Sequence, residues 1–309
     1  MTFRNRLILL VLFIGSAAAF LLTIVFGILY HRSMLRDYRS EIKSRLEDTD
    51  TVFNSYVDNT AALTISLYNA PEGTIARVAP DFEFASHHSF LNYLQNLMMN
   101  SGYIHSIYFL DQEGQVSLWV KGNGSYTKEL DDVLPVLLAG KTQSPFVWSA
   151  PYRYADTGVP MLTFFFSEVP LGMEYYTGTV VVNVELNELC RRIFDGDNQS
   201  TEMIILNGEG IVTLHSDPSH IGEDWSEEAF VQKVLQEGED VFDMKVDGER
   251  YEFLCMPSAR EGFYLIAKSD YTAWSAFAEV FLIVPMICLV AIALMAILRY
   301  GWGHGLCSL

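Results

Sequence analysis

Aromatic and polar side chains crowd one stretch of this chain. Tyr108, Trp119, Trp148, Tyr152, Tyr154, Phe164 and Phe166 stand there, with Arg153, Asp156 and Asn183 among or just after them. Half or more of these aromatics are expected to pack in a core. The rest, with a guanidinium, a carboxylate and an amide nearby, suit a small-molecule pocket, which is mostly apolar with a few convergent polar groups. The expected ligand-binding set is Tyr108, Trp119, Trp148, Tyr152, Arg153, Tyr154, Asp156, Phe164 and Asn183. Binding is the chemistry these residues offer. The chain has no Gly-x-Ser-x-Gly, no His-Glu-x-x-His and no phosphate-binding glycine loop, so it does not read as an enzyme. With 38 acidic residues in 309, paired carboxylates are unavoidable and single out no catalytic pair.

His215, Asp217 and His220 have a spacing that a metal ion could use. They fall in a loop between a hairpin and a helix, and no metal or other cofactor is expected. Asp195-Gly196-Asp197-Asn198 is too short for a calcium loop, which needs a bidentate acid at its twelfth position. Of four cysteines, Cys190 and Cys255 lie in the body of the chain. A body this large does not need a bridge, so they read as buried free thiols.

A β-turn-β unit occurs twice. Tyr103–Leu110 and Gln115–Val120 flank Asp111-Gln112-Glu113-Gly114, and Glu202–Leu206 and Ile211–Leu214 flank Asn207-Gly208-Glu209-Gly210. Runs of β-branched and aromatic residues around such turns predict hairpins. Asp111 and Asn207 are 96 residues apart, a domain-sized repeat that implies two copies of one small α/β fold in tandem. Ahead of the first copy, residues 33–68 predict one long helix. Leu35, Tyr38, Ile42, Leu46, Thr49, Phe53, Tyr56, Thr60, Leu63 and Leu67 recur at steps of three or four. That stripe can pack on the helix's own domain, form a dimer seam near a membrane, or do each along different parts. Pro71, Gly73 and Pro80 predict a loop, Ser86 a helix cap, and 129–138 a short helix or turn. Strands are expected over 145–154, 161–169, 176–186, 241–246, 250–256 and 263–267, and helices over 187–194 and 225–236.

The net charge is −18, unevenly spread. Residues 46–298 hold 12 basic and 36 acidic side chains, a net of −24. Such a body repels nucleic acid. Leu7–Tyr30 and Val280–Leu298 are uncharged runs of 24 and 19 residues, and about 20 apolar residues span a bilayer as a helix. The first run exceeds the 7–15 apolar residues of a signal peptide and reads as an uncleaved anchor. Arg4, Arg6 and Arg299 place both termini in the cytoplasm. The five basic residues of Arg32–Arg45 oppose the positive-inside rule, but long domains translocate largely regardless of charge.

An anchor, a long helix, two β-rich modules and a second anchor together resemble the double Cache sensor of bacterial transmembrane receptors. Trp148-Ser-Ala-Pro-Tyr152 before Thr157-Gly158 and Leu162-Thr163 is similar to the segment lining the family's membrane-distal pocket. Gly178-Thr-Val-Val-Val-Asn183-Val-Glu-Leu resembles the strand closing that pocket. His215-Ser-Asp-Pro218 through Ile221-Gly222 resembles the signature of the membrane-proximal module. The resemblance covers about residues 33–272 and is closest to sensors of histidine kinases and membrane-tethered AraC-type regulators. It implies an α/β (α+β) fold: a long helix, then two tandem PAS-like antiparallel-sheet modules, flanked by two transmembrane helices. The implied division is 1–32 cytoplasmic N-terminus and first span, 33–196 long helix and distal module, 197–272 proximal module, 273–299 second span and 300–309 cytoplasmic tail. The implied role is extracellular ligand sensing, with the ligand in the distal module between the Trp148–Tyr154 and Asn183 strands. A chemotaxis-type receptor and a membrane-anchored surface enzyme or adhesin are the alternatives. A homodimer through the long helix and the spans is also expected.

The family's amino-acid binders carry an Arg-x-Trp-Tyr element for the ligand carboxylate and an Asp on the closing strand for the ammonium. This chain lacks the first and has Asn183 in place of the second. An amide does not neutralise an ammonium as a carboxylate does. A neutral polar or sugar-like small molecule is therefore favoured over an amino acid.

Overall fold

The computed structural model describes residues 3–78, 88–111, 114–121, 146–153, 158–167, 178–194, 201–238 and 240–270, with 286 and 290. The expected cap at Ser86, the helix or turn over 129–138 and almost all of the second uncharged run lie outside these.

Helix α1 runs unbroken over Phe3–Asn69. From Ile42 onward it buries Leu46, Thr49, Asp50, Phe53, Val57, Thr60, Thr64 and Leu67, so the expected stripe is realised along this part. The buried hydroxyls stay satisfied within the helix: Thr60 Oγ1 donates to the Tyr56 carbonyl at 2.8 Å and Thr64 Oγ1 to that of Thr60 at 2.7 Å. The expected loop at 71–80 is instead helical over Pro71–Val78 (α2). Proline breaks a helix interior but suits the first turn, where its missing N–H would have no partner anyway. Helix α3 is His88–Ser101.

Two antiparallel sheets follow. The first is built from β1 (Ile104–Leu110), β2 (Val116–Lys121), β3 (Phe146–Trp148), β4 (Tyr152–Arg153), β5 (Pro160–Phe166) and β6 (Thr179–Glu185), in the order β2-β1-β6-β5-β3 with β4 also on β5. Helix α4 (Leu186–Phe194) leads to the second sheet. Its strands are β7 (Thr201–Asn207), β8 (Val212–His215), β9 (Asp240–Val246), β10 (Glu249–Pro257) and β11 (Phe263–Asp270), in the order β8-β7-β11-β10-β9. Helix α5 (Ala229–Glu237) sits in the chain between β8 and β9. Each hairpin thus pairs with the last strand of its own sheet, and the repeat is one of fold.

The two turns match bond for bond. Gln115 N donates to Asp111 Oδ1 at 2.8 Å, and Ile211 N to Asn207 Oδ1 at 2.8 Å. Asp111 N reaches the Gln115 carbonyl at 2.9 Å and Asn207 N the Ile211 carbonyl at 3.0 Å. Gly114 and Gly210 close the turns at φ +83 and +86, a region open to glycine at no steric cost. Gly178 admits β6 to the sheet: a Cβ there would stand 2.3 Å from the Leu110 carbonyl oxygen.

The larger compact unit is Arg45–Met244 with Phe253–Ser269. It contains all of the first sheet. In the smaller unit, Arg39 Nε donates to Glu252 Oε1 at 2.6 Å.

Candidate functional site

Residues directly opposite in an antiparallel sheet share a face, and neighbours along a strand alternate. In the first sheet Ser106 lies opposite Asn183, and Asn183 opposite Thr163. One step along, Trp119, Tyr108, Val181 and Phe165 are opposite one another in turn. These residues form one face. The other carries Phe109, whose ring lies 5.6 Å from that of Phe90 in α3, and Phe166, 4.8 Å from Tyr68 in α1. Helices cover that second face.

A buried polar row crosses the first face. Asn183 Nδ2 donates to Ser106 Oγ at 2.9 Å, Thr163 Oγ1 donates to Asn183 Oδ1 at 2.7 Å, and Tyr152 OH lies 2.9 Å from Thr163 Oγ1. Thr163 has one proton and gives it to Asn183, so Tyr152 is the donor to Thr163. Ser106, Thr163 and Asn183 are all 3% exposed or less. Beside the row, Tyr108, Leu110, Phe165 and Val181 form an apolar cluster with Trp119 and Val116 packed on it. An apolar floor with one fixed polar line is the arrangement of a small-ligand site.

Of the expected set, Tyr108, Trp119, Tyr152 and Asn183 come together on this face. Trp148 and Phe164 do not. Trp148 lies opposite Phe164 and Phe164 opposite Val182, which puts both on the helix-covered face. This register puts Trp148 and Asn183 on opposite faces of the sheet. Three residues lie between Trp148 and Tyr152, but two between their partners Phe164 and Met161. The extra residue at 149–151 acts as a bulge does and reverses which face the edge strand presents. Trp148 instead meets the Phe263 ring at 5.3 Å, and the Arg260 guanidinium lies 5.1 Å from its ring centre. Arg153 is exposed, donating to the Gly158 carbonyl at 3.2 Å and to the Ser219 carbonyl. Tyr154 and Asp156 lie outside the described residues.

Ser106 and Phe165 escaped the sequence reading, and Thr163 entered it only through the Leu162-Thr163 phrase of the family resemblance. Their signal was a polar residue, or a large aromatic, at the parity of Asn183 in strands that are otherwise mostly apolar. At the end of β8, the His215 ring meets that of His220 edge-on, with centroids 4.8 Å apart, beside Trp225. Among the described residues no three His, Cys, Asp or Glu side chains are placed to hold a metal. Cys190 and Cys255 are buried and free, and burial pushes their thiols up to about 12 and about 11.

No family model and no curated protein matches the chain in sequence. Solved structures match in fold. The ligand-binding domain of the Campylobacter jejuni chemoreceptor Tlp3, in complex with L-valine, superposes with a TM-score of 0.57 at 10% identity, over 79% of this chain and 97% of that one. The ligand-binding domain of the Pseudomonas fluorescens chemoreceptor CtaA, in complex with L-serine, gives 0.57 at 17% identity, over 76% and 98%. The extracellular domain assigned to a histidine kinase, rpHK1S-Z16, gives 0.57 at 14%, over 76% and 93%. The fold is therefore that of extracellular ligand-binding domains of bacterial receptors, as the sequence resemblance implied. The preference for a sugar-like ligand over an amino acid is overturned, because the similar domains hold L-valine and L-serine. That preference rested on the missing Arg-x-Trp-Tyr element and on the neutral amide of Asn183. β6 also ends in Glu185, at the same parity.

Proposed function

We propose that this chain is the extracellular sensing portion of a bacterial transmembrane receptor of the double Cache kind, and that it binds a small amino acid or related amine on the Asn183 face of the first sheet. The observation that carries the reading is the buried Ser106–Asn183–Thr163–Tyr152 row on an apolar sheet face, within a fold otherwise seen in ligand-binding domains. Tyr108, Trp119, Tyr152, Tyr154, Asp156 and Asn183 are the proposed ligand set. The role is recognition without catalysis, and the response belongs to a kinase, a DNA-binding regulator or a chemotaxis partner.

The proposed division follows the chain: span 1–32, distal module to 196, proximal module 197–272, and a second span from 273. Among the described residues no helix is long and apolar enough to cross a membrane. The support for a first span is the outward surface of α1, where Ile14, Leu21, Leu22, Val25, Phe26, Ile28 and Leu29 are each more than half exposed. A contiguous apolar surface of this kind marks a membrane or partner contact, and a second copy of α1 fits the dimer reading.

The test is calorimetric titration of the full chain in nanodiscs with a panel of amino acids and small amines. At least one should bind, and Asn183→Ala should weaken it about five- to a hundredfold, the cost of leaving a buried hydrogen-bonding group unpaired. Trp148→Ala, on the other face, should change affinity little. If Trp148→Ala abolishes binding while Asn183→Ala does not, the site is on the wrong face.

A further inference from the structure

We propose that the turn after β8 is an acid-released latch: the neutral His215 ring holds the segment 217–220, and protonation of that ring lets the segment go. The latch does not depend on where a ligand sits. His215 is the last residue of β8 and is 2% exposed. The chain is pinned just after it. Ser216 N donates to the Met203 carbonyl at 2.9 Å, and Ser216 Oγ accepts from Met203 N at 3.2 Å. A short helical turn over Pro218–His220 follows. The chain is then pinned again, with Ile221 buried and Gly222 N donating to the Val212 carbonyl at 2.8 Å. Between these two anchors, the segment is drawn inward by Asp217 N, which donates to His215 Nδ1 at 2.8 Å. On its outer side the Ser219 carbonyl accepts from Arg153 of β4.

The inner bond exists in one protonation state only. A neutral imidazole has one acceptor nitrogen and an imidazolium has none. A proton added to the ring goes to Nδ1, where it meets the Asp217 N–H as donor against donor. Turning the ring over presents Nε2–H and changes nothing. The charged groups around the ring come from every element packed on it. From the turn itself, His220 has its ring centre 4.8 Å away and its Nδ1 2.9 Å from Glu223 Oε2. Asp217 Oδ1 takes Ser219 N at 2.9 Å. Glu202 of β7 and Lys268 of β11 pair with each other at 2.9 Å. Cys190 of α4 adds a thiol that burial keeps protonated. Glu202 and Asp217 favour a proton on His215, but burial first and His220 second outweigh them and lower its pKa to about 4. With the turn lifted away, the ring nitrogens reach water, where histidine titrates near 6.5. Acid therefore favours the lifted turn, by up to about tenfold for each pH unit below that value until the buried ring itself titrates. Lifting also withdraws the Ser219 carbonyl from Arg153, so the tie to β4 is lost with it.

The experiment uses the full chain in nanodiscs without ligand. Amide hydrogen exchange over 217–220, divided by the intrinsic rate at each pH, gives the protection of the turn. Exchange of the imidazole Cε1 proton, in the peptide that ends at Ser216, gives the titration of His215. From pH 7 to pH 4.5 wild type should lose at least about tenfold of the protection over 217–220, while β1 and β6 keep theirs within about twofold. His215→Asn, whose carbonyl oxygen accepts from Asp217 N at either pH, should lose less than about threefold. Protection that persists at pH 4.5 in wild type overturns the latch. An equal loss in His215→Asn assigns the release to another group and also overturns it. A matching loss in β1 and β6 is global unfolding, and it too overturns the latch. Should His215→Asn not fold, wild type decides alone: the loss of protection and the His215 titration must share one midpoint, and midpoints more than about one pH unit apart overturn the proposal.

Discussion

His215 closes β8 with its ring 98% shielded from solvent. Its Nδ1 accepts the Asp217 backbone N–H at 2.8 Å, so the neutral ring carries its proton on Nε2, which has no partner among the described residues. Burial first, and His220 second, lower its pKa to about 4; Glu202 and Asp217 act in the opposite sense, and Lys268 adds to the lowering. An unfolded histidine titrates near 6.5. Between those values the unfolded chain binds a proton that the folded chain refuses. Stability is therefore full above about pH 6.5 and falls as the pH drops towards 4, by roughly 2–3 kcal/mol over the window. Urea unfolding of wild type and His215→Asn between pH 7 and pH 4.5 measures this. The variant's carbonyl oxygen takes the place of Nδ1 without titrating, so its pH dependence should be shallower. Identical slopes would remove His215 from the account. At this scale the sequence is informative about residue type and silent about face. Tyr108, Tyr152 and Asn183 were legible because aromatic and amide groups near one another suit a pocket. Ser106 was not, because a polar residue in a strand usually faces water, and only the register shows it sharing the Asn183 face.

Helix α1 is more than a stalk, because one of its faces grips the turn between β10 and β11. Asp50, 6% exposed, accepts from Ala259 N at 2.9 Å, from Asn54 Nδ2 at 2.9 Å and from Ser258 Oγ. Asn54 Oδ1 takes Arg260 Nε at 3.1 Å, and Arg260 also pairs with Asp58. Asp50, Asn54 and Asp58 are each four apart and lie on one side of the helix. Their contributions should differ with burial. Asp50→Ala leaves a backbone N–H and a hydroxyl unpaired, a loss of about 1–3 kcal/mol each at most. Asp58, 70% exposed at its side chain, forms a surface ion pair of the kind that contributes about 0–1 kcal/mol. Denaturant unfolding should separate the two variants clearly. Equal losses would mean that the grip is not centred on Asp50. The apolar stripe of α1 was readable because a 3.6-residue period needs no partner to be seen. The Asp50 row was not, since an acidic residue on a helix reads as solvated until the turn that supplies its donors is placed beside it. For the same reason Pro71 was read as a stop, although it opens α2.

Both sheets lie largely in one compact unit, and β3 and β4, on either side of the bulge, each contact the later part of the chain. Trp148, before the bulge, packs edge-on to Phe263 and under Arg260, the residue that α1 holds through Asn54. Beyond the bulge, Tyr152 joins the polar row, while the next residue, Arg153, donates to the Ser219 carbonyl. The loop that Arg153 touches also carries Glu223, whose carboxylate takes Trp225 Nε1 and His220 Nδ1, each at 2.9 Å. Hydrogen bonding from His220 and Trp225, with the Arg153 charge nearby, outweighs burial and holds the Glu223 carboxyl below its ordinary range. Tyr152 and Arg153 are adjacent and project to opposite sides, so a ligand that tightens the Tyr152 end of the polar row also fixes the backbone that aims Arg153. Coupling of this kind needs an element that both sites bias, and the two-residue strand β4 is the candidate that this hypothesis tests. The expected consequence is read by hydrogen exchange. Ligand bound on the Asn183 face should slow exchange of the amides over 217–225 in wild type. In Arg153→Ala the same ligand should bind within about threefold of wild type, because an exposed hydrogen bond contributes only about 0.5–1.5 kcal/mol and this one lies outside the pocket. The protection over 217–225 should nevertheless disappear. Protection that survives the substitution would show that the ligand reaches the second sheet by another route, and Trp148 with its Phe263 and Arg260 contacts would be the next to replace.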